Sequence, residues 1–225
     1  MTNTQRIYQL RVGSLNFVNY TYLIVDNSSR QAAIVDPAWE LPKILDLLHE
    51  IDVELVAVLL THSHFDHVNM VEPLLKLNQP QIYMSAKEIE FYKYDCSNLN
   101  PVIDNEIIKV GETEVTCLVT PGHTAGNTCF LVPGHLFTGD TIFTEGCGIC
   151  NSHGGSAEQM FESILRIKTY VSPDTKVYPG HSFGKKLGYY MSHLMNENIY
   201  FQLDKKKNFV DFRMRKNQPK AFAFK

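Results

Sequence analysis

Three histidines and an aspartate fall within six residues, His62-Ser63-His64-Phe65-Asp66-His67, directly after the apolar run Leu55-Val56-Ala57-Val58-Leu59-Leu60. A strand that ends there and turns into a loop presents N and O donors on one side, the ligand set that Zn²⁺ and Fe accept. One such loop can serve two cations. A solitary histidine is usually a half-buried polar residue, whereas three beside a carboxylate at this spacing point to a metal site. Further donors stand at three later strand ends. Pro121-Gly122-His123 follows the apolar segment 115–120, Thr138-Gly139-Asp140 follows 135–137, and Pro179-Gly180-His181 follows 175–178. At each, a glycine lets the backbone turn sharply where a rigid scaffold places its chemistry.

The elements that must position these donors are visible as hydrophobic periodicity. Segments 7–12, 20–25 and 31–36 are rich in β-branched and aromatic residues and separated by Asn and Ser turns, the pattern of successive antiparallel strands. Residues 41–49 repeat apolar side chains at helical spacing with Pro42 in the first turn. Segments 68–77 and 86–92 read as helices around a short strand at 81–84, and Ser156 caps a helix through 168 whose first turn holds Glu158 and Gln159. Residues 189–203 read as one helix, with Tyr190, Met191, Leu194, Met195, Ile199 and Leu203 as its apolar stripe. Pattern alone specifies a mixed α/β protein.

With 225 residues and 44% hydrophobic content, the chain suits a single domain over 1–225 with one sizeable core. Met1-Thr2-Asn3-Thr4-Gln5-Arg6 has no apolar signal-peptide core, and no run reaches the roughly 18 apolar residues of a spanning helix. A soluble, cytoplasmic protein with no membrane and no nucleic-acid partner is expected. The net charge of −3 is uneven: residues 204–225 carry eight Lys or Arg against two Asp, so this basic tail is +6 and the remainder −9. The tail interleaves Lys205, Lys206, Lys207, Arg213, Arg215, Lys216 and Lys220 with Phe209, Phe212, Phe222 and Phe224. Of five cysteines, Cys117 and Cys129 lie in expected strands as small apolar residues. Cys147-Gly148-Ile149-Cys150 has no second pair and is read as a tight glycine-rich turn lining the pocket mouth.

The ordered set His-x-His-x-Asp-His, distant His, distant Asp and final His resembles the metallo-β-lactamase superfamily across roughly residues 10–185. The resemblance implies an αββα sandwich of two mixed sheets flanked by helices, with a metal cleft at one edge. It assigns His62, His64 and His123 to a first metal, Asp66, His67 and His181 to a second, and Asp140 as the carboxylate bridging both. The run 137–148 followed by Gly155-Ser156-Ala157-Glu158-Gln159-Met160 is similar to the glyoxalase II branch. Two departures separate it. Ile149-Cys150-Asn151-Ser152-His153-Gly154-Gly155 replaces the branch's usual Arg-Phe-Phe-Glu-Gly insert, and Ser182-Phe183-Gly184 follows the final ligand. The 44 residues after His181 are too few for a separate helical glutathione-binding domain. The narrower resemblance is to the zinc-dependent acyl hydrolases encoded in trans-acyltransferase polyketide clusters of the bacillaene type.

That resemblance implies two zinc ions per chain, with iron or manganese as alternative metals, and hydrolysis of thioesters on the phosphopantetheine arm of an acyl carrier protein. Two cations sharing Asp140 lower the pKa of a water between them, so no protein nucleophile is needed. Asp66 and Asp140 are the catalytic candidates. Thr124 and Asn127 are candidates for hydrogen bonds that fix ligand tautomers, and His153, Cys147 and Asn151 for substrate contacts. Carrier proteins are typically acidic, so the basic tail can steer them. The alternative readings are a hydroxyacylglutathione hydrolase acting on a small thioester, an iron-dependent persulfide dioxygenase, and a non-enzymatic scaffold.

Overall fold

The computed structural model describes residues 4–14, 17–216 and 218. The first sheet runs in order β1 (Gln5–Ser14), β2 (Phe17–Asp26), β3 (Gln31–Val35), β4 (Glu54–Leu59), β5 (Gln81–Ser85) and β6 (Leu99–Val102). Its first three strands are antiparallel and its last three pairings parallel. The second sheet holds β7 (Ile107–Val110), β8 (Thr113–Val119), β9 (Thr128–Val132), β10 (His135–Gly139), β11 (Lys176–Pro179) and β12 (Tyr189–Tyr190), antiparallel except between β10 and β11.

The period-two alternation of the strands divides the buried side chains into layers. Tyr22, Ile24, Ala33, Val35, Ala57 and Leu59 face Val115, Cys117, Phe130, Val132 and Phe137 between the sheets. The alternate residues Leu23, Val25, Ala32, Ile34 and Val58 turn outward. There they meet Ile44 and Leu48 of α1 (Leu41–Glu50) and Val71, Leu74 and Leu75 of α3 (Val71–Asn78). On the other outer face Leu118, Cys129, Leu136 and Val177 pack against α5 (Ala157–Tyr170), α6 (Met191–Glu197), α7 (Ile199–Gln202) and α8 (Lys206–Arg213). Two mixed sheets flanked by helices are the αββα sandwich that the resemblance implied.

Two expected helices are divided. The segment at 68–77 is a short α2 (Phe65–Val68), a break at Asn69, then α3. Asn69 Oδ1 accepts the Trp39 N–H at 2.8 Å, a bond to another segment that anchors the break. The segment at 189–203 starts as strand β12 and then forms α6 and α7, divided at Asn198. Asn198 caps α7 by accepting the Tyr200 N–H and donates to the carbonyls of Phe143 and Gly146, so its tertiary bonds override the helical period. Strands β6 and β7 have no counterpart in the expectations. The remaining helix, α4 (Ala86–Tyr92), lies where the sequence places it, and Ser156 accepts the Gln159 N–H at 3.2 Å to cap α5.

One charge of the basic tail, Arg213, is corrected. Residues 206–213 form α8 on α5, with Phe209 fully buried and Arg213 only 7% exposed. Arg213 donates to the Tyr200 hydroxyl at 3.0 Å and the Cys147 carbonyl at 3.4 Å, so it is a packing residue and not a free surface charge. Lys220, Phe222 and Phe224 lie outside the described residues. No described helix is long and apolar enough to cross a membrane.

Candidate metal centre

Strands β4, β8, β10 and β11 end at the same edge of the sandwich, so the residues that follow them converge. Backbone bonds tie these ends together: Thr128 N to Thr61 O at 2.8 Å, Gly180 N to Gly139 O at 2.9 Å and Tyr20 N to Gly180 O at 2.8 Å. Gly139 adopts φ +47°, and a Cβ there would stand 2.2 Å from Thr61 Oγ1, so the close approach of β10 to the histidine loop requires glycine.

Donor atoms of His62, His64 and His123 gather within 4.8 Å of one another, as do those of Asp66, His67 and His181. In the first group His123 Nε2 is 3.0 Å from His64 Nδ1, and the buried His62 Nε2 has no hydrogen-bond partner. In the second, His67 Nε2 is 3.3 Å from His181 Nε2, which is 3.3 Å from Asp66 Oδ2. Asp140 stands between the groups. Its Oδ2 is 3.5 Å from His123 Nε2 and 3.6 Å from His181 Nε2, and its Oδ1 is 3.5 Å from His67 Nε2 yet buried without a hydrogen bond. Buried polar atoms left unpartnered are costly. Orphaned nitrogen and oxygen aimed into a cluster of N and O donors are what a bound cation satisfies, so these residues fit a dinuclear site.

The opposite ring nitrogens are engaged in ways that fix the tautomers. His67 Nδ1 donates to Asp36 Oδ2 at 2.9 Å, His123 Nδ1 to the Ile149 carbonyl at 2.8 Å and His181 Nδ1 to the Val18 carbonyl at 2.7 Å. Asp36 also accepts the Thr61 hydroxyl at 2.6 Å and its N–H at 2.8 Å. With its proton committed to Asp36, the Thr61 oxygen accepts from His62 Nδ1 at 3.0 Å. In the neutral ring, each Nδ1–H so held leaves an Nε2 lone pair directed at the cluster.

The electrostatics follow the same layout. Burial pushes His62 well below its ordinary value and His123 down to about 4, in each case against nearby carboxylate attraction or with added repulsion from neighbouring imidazoles. Burial lowers His64 as well. Burial also opposes charge on His67, but Asp66, Asp140 and Asp36 outweigh it and raise that imidazole to about 10. For Asp66, burial works upward and is overcome by His67, His181 and Asn19, which hold the carboxyl well below the usual range.

All seven residues that the sequence pattern singled out are therefore brought together. The supporting bonds differ from expectation. The hydroxyl of Thr124 is unpartnered, and Asn127 donates to Thr141 Oγ1 at 2.7 Å, so neither fixes a ligand imidazole. Asp36, Asn19 and Glu88 were missed. Asn19 Nδ2 donates to Asp66 Oδ2 at 3.0 Å. Glu88, 0% exposed, accepts from the Ser63 N–H and hydroxyl and from the Gly126 N–H, clamping the histidine loop to the loop after His123. Asp36 did carry a signal, a carboxylate closing an apolar strand as Asp140 does.

Of the three substrate-contact candidates, Cys147 is 5% exposed and packs in the outer core, which withdraws its thiol from a pocket mouth. Asn151 is exposed, and the His153 ring lies against Phe91 and Tyr92 at centroid distances of 4.9 and 6.0 Å. That loop serves the cluster through its backbone, by the Ile149 carbonyl on His123.

The chain is similar over its full length to two curated relatives. It is 53% identical over 225 residues, 100% of both chains, to the probable polyketide biosynthesis zinc-dependent hydrolase PksB of Bacillus subtilis (strain 168). It is 52% identical, again over 100% of both, to the probable polyketide biosynthesis zinc-dependent hydrolase BaeB of Bacillus velezensis. Among solved structures, ETHE1 from Myxococcus xanthus superposes with a TM-score of 0.86 at 28% identity, covering 96% of this chain and 93% of that one. Residues 16–181 match the metallo-beta-lactamase superfamily, and with the sandwich and its edge cluster in place, the chain belongs to that superfamily.

Proposed function

We propose that the chain is a zinc-dependent hydrolase of polyketide biosynthesis that cleaves acyl thioesters from the phosphopantetheine arm of an acyl carrier protein. The observation that supports it most is Asp140, placed between two donor groups with a buried oxygen that no protein hydrogen bond satisfies. The full-length likeness to PksB and BaeB supports the pathway. In this reading His62, His64 and His123 hold one zinc, Asp66, His67 and His181 the other, and Asp140 both. Zinc ions there supply Lewis acidity and acidify water toward neutral pH.

The chain's own groups hold and orient. Asp36, Thr61, Ile149 and Val18 keep the histidines in one tautomer and one rotation, so the donor set is preorganised. Asp66 is fixed through Oδ2 by Asn19, and its side chain is the more exposed of the two central carboxylates, at 21% against 10% for Asp140. It is placed to orient the attacking water, which gives up one proton as it adds. The water oxygen bonds to the thioester carbonyl carbon, the C–S bond breaks, and the departing thiolate takes up the proton, giving a free acid and a free thiol. The reading places the protein in the cytosol, where its five unpaired cysteines stay reduced.

Hydrolysis of acyl-carrier thioesters by the zinc-loaded protein, compared with S-lactoylglutathione, tests the proposal. A higher kcat/KM on the carrier-bound ester is expected. Strong preference for the glutathione ester overturns it, as does one iron per chain in protein purified without added metal together with oxygen uptake on a persulfide.

A further inference from the structure

The loop that bears the donor residues also bears a surface that no ligand role uses. Phe65 stands between His64 and Asp66 and is 71% exposed. Its ring meets Trp39 edge-on at a centroid distance of 5.9 Å, and Trp39 meets Phe17, itself 45% exposed, at 5.8 Å. Rings from the start of β2, the β3–α1 connection and α2 thus form one apolar lip beside Asp66. An exposed aromatic group of this kind marks a binding surface more often than a scattered apolar residue does.

The lip is built, not incidental. Trp39 has φ +59°, a conformation that a bulky side chain avoids. It is held by Asn69 Oδ1 accepting its N–H at 2.8 Å and by its indole N–H donating to Asn19 Oδ1 at 2.7 Å. Asn19 is the residue whose amide donates to Asp66 Oδ2. The indole's one polar hydrogen is therefore committed to the frame of the centre, and what Trp39 presents outward is apolar.

We propose that Phe17, Trp39 and Phe65 form the acyl-chain subsite, taking the hydrocarbon portion of the substrate while its carbonyl lies at the donor cluster. This rests on the thioester reading and identifies the part of the substrate that is selected. A thioester has two arms to place. The pantetheine arm carries amides and a phosphate, which three aromatic rings leave without hydrogen-bond partners. A hydrocarbon needs only apolar area, and the lip offers that within one residue of Asp66.

Trp39 is the single tryptophan of the chain, so its emission reports on the lip directly. The zinc-loaded protein is titrated with straight-chain carboxylates from butanoate to decanoate. Because the carboxylate is common to the series, the dependence on chain length isolates the lip. Emission should shift to the blue, with affinity rising about two- to fourfold per added methylene, the upper figure corresponding to full burial. Phe65→Ala and, separately, Phe17→Ala should each reduce that increment; both side chains are exposed, so neither change threatens folding. In parallel, kcat/KM is measured on N-acetylcysteamine thioesters from acetyl to octanoyl, where the wild type should climb with length more steeply than Phe65→Ala. Emission indifferent to chain length, or equal slopes in wild type and variants, overturns the lip even if every thioester is hydrolysed. Length-dependent emission with no turnover of any thioester leaves the lip standing and overturns the hydrolase reading instead.

Discussion

At the scale of single residues, Asp140 is the point where the two donor groups meet, and its removal separates them from the loss of any one outer ligand. Asp140→Ala should abolish binding of both metals and nearly all turnover, since one carboxylate serves both groups. Two metals retained with high activity would show that the bridge lies elsewhere. His181→Ala should weaken the second metal selectively, by removing one donor from Asp66, His67 and His181. Loss of the first site in a metal titration would reverse the assignment. The two groups also differ in protonation. Without metal, His67 is held charged up to about 10, whereas His62, His64 and His123 are all shifted downward and are neutral at pH 7. A ligand imidazole must be deprotonated on its donor nitrogen, so filling the second site at pH 7 should release a proton from the His67 cluster. Its affinity should rise about tenfold per pH unit until about pH 10, while the first site stays flat. Calorimetric titration in buffers of different ionisation enthalpy counts those protons, and two sites with the same pH dependence would contradict the carboxylate arrangement around His67.

At the scale of elements, the donors were legible because four of them crowd into one loop after an apolar run and the other three each close an apolar run beside a glycine, as with Pro121-Gly122-His123 and Pro179-Gly180-His181. The groups that orient them were not. Glu88 falls in a helix of mixed polarity, where an acid reads as surface, yet it is buried because the Ser63 and Gly126 N–H groups reach it across 25 and 38 residues. Division of the expected 189–203 helix came from Asn198, whose amide partners at Phe143 and Gly146 are more remote still, 55 and 52 residues away. Local periodicity carries no information on such pairings. Asp26 at the end of β2 is a third case. Its Oδ1 accepts from the N–H and hydroxyl groups of Ser28 and Ser29, and its Oδ2 from Thr113 Oγ1 at 2.8 Å, joining β2 of one sheet to β8 of the other. Burial favours the neutral acid, but these hydrogen bonds outweigh it and hold the carboxyl well below the usual carboxylate range. A depressed folded value contributes stability that is fully present above the unfolded value of about 4 and is lost as pH falls through the folded one. Asp26→Asn should therefore cost about 1–3 kcal/mol at neutral pH, with wild type and variant converging in acid. Denaturant unfolding at pH 7 and pH 3 measures both, and a gap that widens in acid would contradict the sign.

At the scale of the whole molecule, the proposed docking of a carrier draws on the uneven charge, and the fold narrows which charges are available for it. Arg213 is withdrawn because it is buried against Tyr200 and Cys147. Lys206 and Lys207 pair with Glu162 and Asp211 at exposed positions, and such pairs contribute little to stability. Replacing Lys205, Lys206, Lys207, Arg215 and Lys216 with Gln while keeping Arg213 thus removes charge without removing the core of α8. If these residues steer an acidic carrier, the KM for carrier-bound thioesters should rise on the order of three- to tenfold and lose most of its salt dependence. Hydrolysis of a small uncharged thioester should be unchanged, because that substrate carries no charge for the field to act on. Arg213→Gln is the informative contrast, since loss of a buried guanidinium should depress stability and both activities together. A steering role fails if the five-residue variant treats carrier-bound and small thioesters alike, and the pairings to Glu162 and Asp211 would then be the whole contribution of those lysines.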